Sequence, residues 1–504
     1  MSTETELKLS LRAQDVTALL NHPLLAGKSQ RQKLKNTYFD TPDLRLHQRK
    51  IAVRERYILK KTLLTIKTAG ASQGGLASRS EWEALTEPRD FNFKAVIDDT
   101  QLADDLSLLK PELKPIFTTD FHRQQWIVNF QGACIEVALD RGKISSKTSR
   151  ASKASPILEL ELELLEGTPL ALFALARTLS KSVYLKPNNI SKAQRGYALF
   201  LDTQPIPTLS ATMRLDSKLS PLETFQQISL SALSHLQAND PGMLSLTPEE
   251  YIHQARIAIR QIRLAIKLFS KILPKKFVKK WQEKWRGVFH DLENTRNWDV
   301  FLKVLMPMLE GPFPDHDSLI ELRNSAQEQS HKARRKAQKV LESKSYASRQ
   351  LQFAQAILSL DSLKEFPKSK SHDQETMSVK NFAIQILEKQ SQSLKNELTG
   401  RHLKKPQILH QIRLDIKQSH DSMMFFIDFL PQKKTTRYIS ILSNLQKLLG
   451  SLNDLSTAKI LIDQLKIASP KIALSWIAGQ RSGYLKALPV NLKALKACDL
   501  PWHK

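Results

Sequence analysis

Cysteine is nearly absent from this 504-residue chain, which holds only Cys134 and Cys498. Two cysteines exclude a disulfide framework and a four-cysteine zinc site, so a reducing, cytoplasmic setting is expected. Long apolar runs are missing too. None approaches the roughly 18 residues that a membrane span needs, and the opening MSTETELKLSLR has no basic stretch followed by an apolar core. A soluble protein with no signal peptide and no membrane partner is the expectation. Acid is also short: 50 Asp and Glu stand against 76 Lys and Arg, a formal charge of +26, which predicts attraction to a polyanion. The basic helix faces at 253–267 and 410–420 lack interleaved aromatics, and no recognised nucleic-acid-binding motif is present, so nucleic acid is not the expected partner.

Hydrophobic residues at 41% and charged residues at 25% suit folded cores, and the length predicts two domains. Up to about residue 165 the pattern is two-residue alternation broken by turn signals, as in TETELKL (3–9), IAVRER (51–56), SRSEWEAL (78–85) and ILELELELL (157–165). From 219 onward the period is helical, and Ser220-Pro221-Leu222-Glu223 and Thr247-Pro248-Glu249-Glu250 read as capping boxes. The proline-rich stretch between them suits a linker. The expected division is therefore 1–204, a linker over 205–218, and a helical domain over 219–504. Of the net charge, +8 falls in residues 1–200 and +18 in the rest. HQARIAIR (253–260) recurs as HQIRLDIK (410–417), and LENTRN (292–297) maps onto LGSLND (449–454) at the same offset. This points to an internal duplication, with repeats over about 219–365 and 374–504 and the Lys/Ser-rich FPKSKSHD (366–373) as a joint.

Strand alternation puts Glu4, Glu6 and Lys8 on one face and Thr5, Leu7 and Leu9 on the other. Arg54 with Arg56, Thr65 with Lys67, Arg79 with Glu81 and Glu83, Glu136 with Asp140, and Glu159 with Glu161 and Glu163 likewise oppose an apolar face. Any one of these strands is explained by a sheet whose polar face meets water. The set suggests more, because closing the sheet with its apolar face outward would gather acids and bases in a lumen. Crowded carboxylates call for a cation, and hard oxygen ligands suit Mg²⁺ or Mn²⁺. Arg and Lys on the same lumen would hold phosphate oxygens.

Glu4-Thr5-Glu6-Leu7-Lys8 resembles the ExExK signature of the CYTH family, the triphosphate tunnel metalloenzymes. YFDTPDLRLHQRKIAVRER (38–56), TIKT (65–68), RSEWE (79–83), ALDRGKI (138–144), LELELEL (158–164) and KPNNISKAQRGYALF (186–200) match in order. The resemblance covers about residues 1–200. It implies an α+β multidomain protein whose N-terminal part is an eight-stranded antiparallel β-barrel tunnel with covering helices. It further implies that Glu4, Glu6, Glu159 and Glu161 hold metal with Asp140 and Glu163 nearby. Lys8, Arg54, Arg56, Lys67, Arg123 and Lys186 would bind the substrate, inorganic triphosphate. Glu4, Glu6, Lys8 and Glu161 are the implied catalytic group.

In the helical half, His253, Arg256, Arg260, Arg263 and Lys267 fall within an arc of about 80° on a helix, and His410, Arg413, Lys417 and His420 occupy an equal arc. One such face is an ordinary solvated surface. Two related by a duplication can turn towards one cleft. The spacing HxxRxxxR, its repetition, and the LENTRNWDV and LGSLNDLSTA segments resemble the CHAD domain, an all-α pair of helical bundles, over about 219–500. That resemblance implies binding of inorganic polyphosphate through His253, Arg256, Arg260, Arg263, His410, Arg413 and Lys417. A class IV-type adenylate cyclase, a thiamine or nucleoside triphosphatase, and a non-catalytic polyphosphate scaffold remain open as alternatives.

Overall fold

The computed structural model describes residues 2–58, 61–68, 70–147, 152–211, 213–244, 249–360, 377–398 and 406–503. The capping box expected at Thr247 and the joint expected at 366–373 lie outside them. Two compact units emerge. One holds Met1–Thr208, Leu236–Gly242 and Glu342–Leu363; the other holds Leu209–His235, Met243–Leu341 and Lys364–Lys504.

The strands are β1 (Ser2–Leu11), β2 (Gln30–Asp40), β3 (Ala52–Ile58), β4 (Lys61–Lys67), β5 (Ala71–Gln73), β6 (Leu76–Thr86), β7 (Lys114–Phe130), β8 (Ala133–Lys147), β9 (Ser152–Glu166) and β10 (Leu185–Pro187). They pair in the order β10-β1-β9-β8-β7-β2-β3-β4-β6-β5, and a further pairing of β1 with β6 closes eight of them into a barrel. All pairings are antiparallel. Short β10 and β5 extend β1 and β6 outside the closed ring.

Alternation decides which face is which. Leu7 and Leu9 are fully buried, as are Val53, Leu64, Ile66, Leu160 and Leu162. Val53, Leu64, Ile66 and Trp82 share a core with Phe91, Phe93 and Leu106, the last on helix α1 (Thr100–Leu109). The apolar face thus points outward beneath helices, and the charged face is left for the lumen, as the sequence pattern predicts.

Helices α2 (Leu170–Leu179) and α3 (Lys192–Leu201) follow the last long strand. Ser191 and Gln194 form a reciprocal capping box that starts α3. A Cβ at Gly196 would stand 2.1 Å from the Phe117 ring, so only glycine lets α3 approach β7 this closely. Tyr197 donates to buried Asp40 at 2.8 Å, whose carboxylate also accepts the backbone N–H groups of Thr41, Leu46 and His47. One carboxylate therefore fixes both the turn after β2 and the direction of α3.

The remaining helices of eight or more residues are α4 (Pro221–Leu244), α5 (Glu250–Leu268), α6 (Lys275–Asp291), α7 (Glu293–Val300), α8 (Asp317–Leu341), α9 (Lys344–Leu358), α10 (Val379–Leu398), α11 (Pro406–Phe425), α12 (Gln432–Leu465) and α13 (Lys471–Lys496). The Ser220 capping box forms, with Ser220 N–H donating to Glu223 at 2.8 Å and Glu223 N–H to Ser220 Oγ at 3.2 Å. Within the helical unit the Phe269 ring meets Phe225, Phe382 and Phe426 at centroid distances of 5.7, 5.1 and 6.2 Å. Side chains from both halves of the helical stretch thus share one core.

The division in space differs from the linear one expected from the sequence. Residues 236–242 of α4 and the whole of α9 belong to the barrel unit. Asp240, 2% exposed, is the reason this placement is specific. It accepts from Tyr346 Oη at 2.6 Å and Gln350 Nε2 at 2.7 Å, and Lys186 Nζ of β10 stands 3.6 Å away. Asn189 adds a hydrogen bond to Gln237 at 2.9 Å. Removing the acceptor would strand a buried cation and two buried donors. Asp240→Ala in the full chain is expected to destabilise the barrel unit by about 3 kcal/mol. Chemical denaturation checks this, and an unchanged midpoint would remove Asp240 from that role.

Candidate functional site

The barrel encloses a cavity of about 930 Å³. Of the residues predicted for this site, all line it except Asp140, Glu159 and Lys186. Strand register explains the assembly: Lys8 lies opposite Glu161, Glu6 opposite Glu163, Arg123 opposite Asp140 and Asp140 opposite Glu159. Because β1 also pairs with β6, Glu4 faces Arg79 across the closure.

The charges interlock. Lys67 Nζ is 2.8 Å from Glu4 and 2.9 Å from Glu81. Arg79 binds Glu4 through Nε at 3.0 Å and Glu6 through Nη2 at 2.6 Å. Burial pushes the Glu4 carboxyl up, but Lys67 and Arg79 outweigh it and hold the pKa at about 2. Lys8 Nζ is 3.2 Å from Glu161. Arg123 forks onto Asp140 with two bonds of 2.8 Å and reaches Glu161 at 2.5 Å. Burial alone would raise the Glu161 pKa, yet Lys192, Lys8 and Arg123 hold it well below the usual range. Glu163 goes the other way, to about 7, through burial and repulsion from Glu4 and Glu136.

Asp140, Glu159 and Glu161 offer oxygens that lie within 4.8 Å of one another. Lys192, from the first turn of α3, sits among them, 2.7 Å from Asp140, 3.0 Å from Glu161 and paired with Glu159. Apart from that ion pair and Arg195 Nη1 3.8 Å from its other oxygen, Glu159 accepts no hydrogen bond among the described residues, although it is 1% exposed. Clustered, under-satisfied carboxylate oxygens are the donor set a hard divalent cation takes. Arg54 presents the complementary deficit: its Nε and Nη2 are buried without hydrogen bonds, with Glu81 3.8 Å from Nη2. Such donors suit an anionic oxygen.

Two residues differ from expectation. Lys186 does not line the cavity; its ammonium turns to Asp240, and Lys192 is the lysine of that motif that enters the carboxylate cluster. Arg79, grouped with its strand by alternation but given no role, binds two of the predicted metal ligands. A signal for Lys192 existed, since a lysine just after a Ser N-cap opposes the helix dipole and wants a nearby acid.

In the helical unit the two basic faces meet. Arg260 of α5 donates to Asp421 of α11 at 2.8 Å. Lys417 is pushed down to about 7 by burial and by Arg260 and Arg413. His253 falls to about 4 through burial and Arg296, and Arg256 to about 10 through burial, with Arg260, Arg296 and Arg413 lowering it further against Glu293. These mutual effects place His253, Arg256, Arg260, Arg413 and Lys417 in one cluster, to which Arg296 adds. Arg263 instead lies towards Arg286, and His410 is exposed.

A closed β-tunnel with an acid-and-base lumen, joined to a helical unit with a crowded basic face, defines the class. Residues 2–197 match the CYTH domain and residues 227–463 the CHAD domain. The chain thus carries a CYTH domain followed by a CHAD domain. An inorganic triphosphatase of Haemophilus influenzae is 35% identical over 210 residues, which are 40% of this chain and 55% of that relative. The match spans about half the relative's length. Among solved structures, the CHAD domain of Ricinus communis is 24% identical, covering 59% of this chain and all of that one at a TM-score of 0.48. A putative adenylyl cyclase from Hippeastrum with a dominant triphosphatase activity is 17% identical, covering 40% and 98% at a TM-score of 0.29.

Lys192 contacts all three carboxylates of the candidate cation site and offsets part of their charge. Lys192→Met should therefore lower the melting temperature in chelator and enlarge the stabilisation on adding Mg²⁺ or Mn²⁺. A melting curve in each condition measures both. Equal metal response in the variant and the parent would separate Lys192 from that site.

Proposed function

We propose that the tunnel hydrolyses inorganic triphosphate to diphosphate and phosphate with divalent metal, Mg²⁺ or Mn²⁺, and that the helical domain binds inorganic polyphosphate. The observation that carries the first part is an acid cluster whose Glu159 oxygens accept no hydrogen bond, set beside a lumen into which Arg54 brings Nε and Nη2 that make no hydrogen bond among the described residues. Glu4, Glu6, Asp140, Glu159, Glu161 and Glu163 would hold metal. Bound there, a divalent ion supplies charge neutralisation and a water acidic enough to attack phosphorus.

This chain's own residues do the rest. Lys8, Arg54, Arg56, Lys67 and Arg123 bind the phosphate oxygens, to which Lys192 and Arg79 are now added. Enclosure strengthens those contacts by excluding water. The bond that forms joins a water oxygen to the terminal phosphorus, and the bond that breaks is the adjacent bridging P–O. Diphosphate leaves with the electron pair. The triphosphatase relative supports this substrate.

Phosphate release from a panel of inorganic and organic triphosphates, with Mg²⁺ and with Mn²⁺, tests the reading on the full chain. Cyclic nucleotide and pyrophosphate from ATP, in place of phosphate, would overturn it. Glu6→Gln keeps shape but loses the charge a metal requires, so turnover should fall at least tenfold at limiting metal. Arg56→Ala should chiefly raise KM. Steady-state rates at varied metal and substrate distinguish the two, and parental rates for Glu6→Gln at limiting metal would sink its metal role.

The polyphosphate reading rests on the basic cluster of α5 and α11, and Lys417 gives it a pH signature. A bound polyanion favours the ammonium form, so affinity is higher below about pH 7 and declines as pH rises through that value. Arginine side chains keep their charge across this range, and Asp421, despite burial, is held below its usual pKa by its bonds to His420 and Arg260. Long-chain polyphosphate should bind about fivefold to tenfold more tightly at pH 6 than at pH 8. Titration of Lys417→Arg should show a flatter profile.

A further inference from the structure

Helix α6 carries a charge pattern that the cluster on α5 and α11 does not use. Lys275, Lys276, Lys279, Lys280 and Arg286 are exposed, and among the described residues none of them forms an ion pair. The pattern works against the helix itself. Lys275 and Lys276 occupy its first turn, where the dipole disfavours cations, and Lys275/Lys279 and Lys276/Lys280 are like charges at i,i+4. The core face is formed by Phe277, Trp281, Trp285 and Val288; of the row only Lys280 packs on it, 5.2 Å from the Trp281 ring, and Glu283, at i+4 from Lys279, offsets only part of the like-charge repulsion.

The row adjoins the basic face of α5. Arg256 stacks on Phe289 at 4.0 Å and donates to its carbonyl at 2.9 Å, while Arg263 lies over the same ring at 5.7 Å. Gln282 donates to the Arg263 carbonyl at 2.6 Å. Phe289 and Gln282 therefore mark the strip of α6 that meets α5. Lys275, Arg286 and Lys279 fall on the next strip, within about 40° of one another. Arg263 feels the charge of Arg286, and its buried Nε has no hydrogen-bond partner among the described residues.

We propose that Lys275, Lys279 and Arg286 continue the polyphosphate site of α5 and α11 into a surface track, which long polyphosphate occupies and triphosphate is too short to use. This rests on the polyphosphate reading above. Lys275 to Arg286 spans about 16 Å of helix at the usual rise, so a chain held by the cluster reaches the track only when it is several phosphates longer. The occupant is a polyanion with charge at every unit, because the strip offers cations and no apolar or aromatic surface.

The test compares the full chain with the triple variant Lys275→Ala, Lys279→Ala, Arg286→Ala, all at exposed positions, with circular dichroism to verify the fold. Binding of long-chain polyphosphate and of tripolyphosphate is measured across salt concentrations. The long chain should lose about tenfold or more in affinity, and its log–log salt slope should shrink by about 2 to 3, as three fewer contacts predict. Tripolyphosphate binding should not change. Unchanged long-chain affinity and slope would overturn the track, as would an equal loss for both ligands. If single-stranded RNA of equal charge binds more tightly than polyphosphate and shows the same loss, the occupant is nucleic acid and the proposal fails. A second variant, Arg256→Ala with Arg260→Ala and Arg413→Ala, separates the two readings. Loss there with none in the triple variant overturns only the track, whereas failure of the parent chain to bind polyphosphate overturns the underlying site.

Discussion

A carboxylate turned into a closed barrel has to be met by a cation, and the N-terminal unit is organised by that requirement. Glu4 has Lys67 and Arg79, Glu161 has Lys8, Arg123 and Lys192, and Asp140 has the Arg123 fork. Glu4 and Glu161, each with at least two such partners, are held ionised despite burial. Glu163, which faces Glu4 and Glu136 without an equal share of cations, titrates near neutral pH. Buried ion pairs of this kind add little net stability over an apolar core, because desolvation offsets attraction. What they provide is a lumen already charged on both signs, so that under the proposed function an incoming anion and cation would exchange partners with side chains rather than meet them unprepared.

The same requirement explains why α3 is held so firmly. The ammonium of Lys192 has to arrive among three acids, and three independent features aim it there. The Ser191 capping box fixes where the helix begins. Glycine at 196 allows contact with Phe117, and Tyr197 is tied to Asp40, itself bonded to the backbone that follows β2. His47 stacks on Tyr197 at 4.2 Å, completing the clasp.

Much of this was legible before any coordinates. Two-residue alternation separated Leu7 and Leu9 from Glu4, Glu6 and Lys8, and a sheet with one charged face and one apolar face closes in few ways. What alternation could not convey was the path of a long side chain at a strand end. Lys186 has the parity of a lumen residue, opposite Ser10 of β1. Its ammonium is nevertheless claimed by Asp240, more than fifty positions later, which no local pattern reveals. For Lys192 the position after a Ser N-cap signalled a nearby acid but not which one, because only tertiary contacts bring its helix over the barrel. On the helical side the duplicated spacing found the residues that crowd together, Arg256, Arg260, Arg413 and Lys417. It also included His410, which is exposed, since helical phase says which face a residue occupies and not what lies across from it.

The Asp240 node changes what counts as a separable part. Residues 236–242 and 342–363 are encoded within the helical half, yet their neighbours in space are β10 and α2 of the barrel unit, as the contacts of Asp240 with Lys186 and of Gln355 with Arg177 show. A protease or a recombination event that cut the chain in the proline-rich segment after residue 202 would leave a tunnel missing part of its own wall support. The helical half of the sequence therefore carries part of the barrel unit's structure, so a cut in that segment divides the chain where the fold does not.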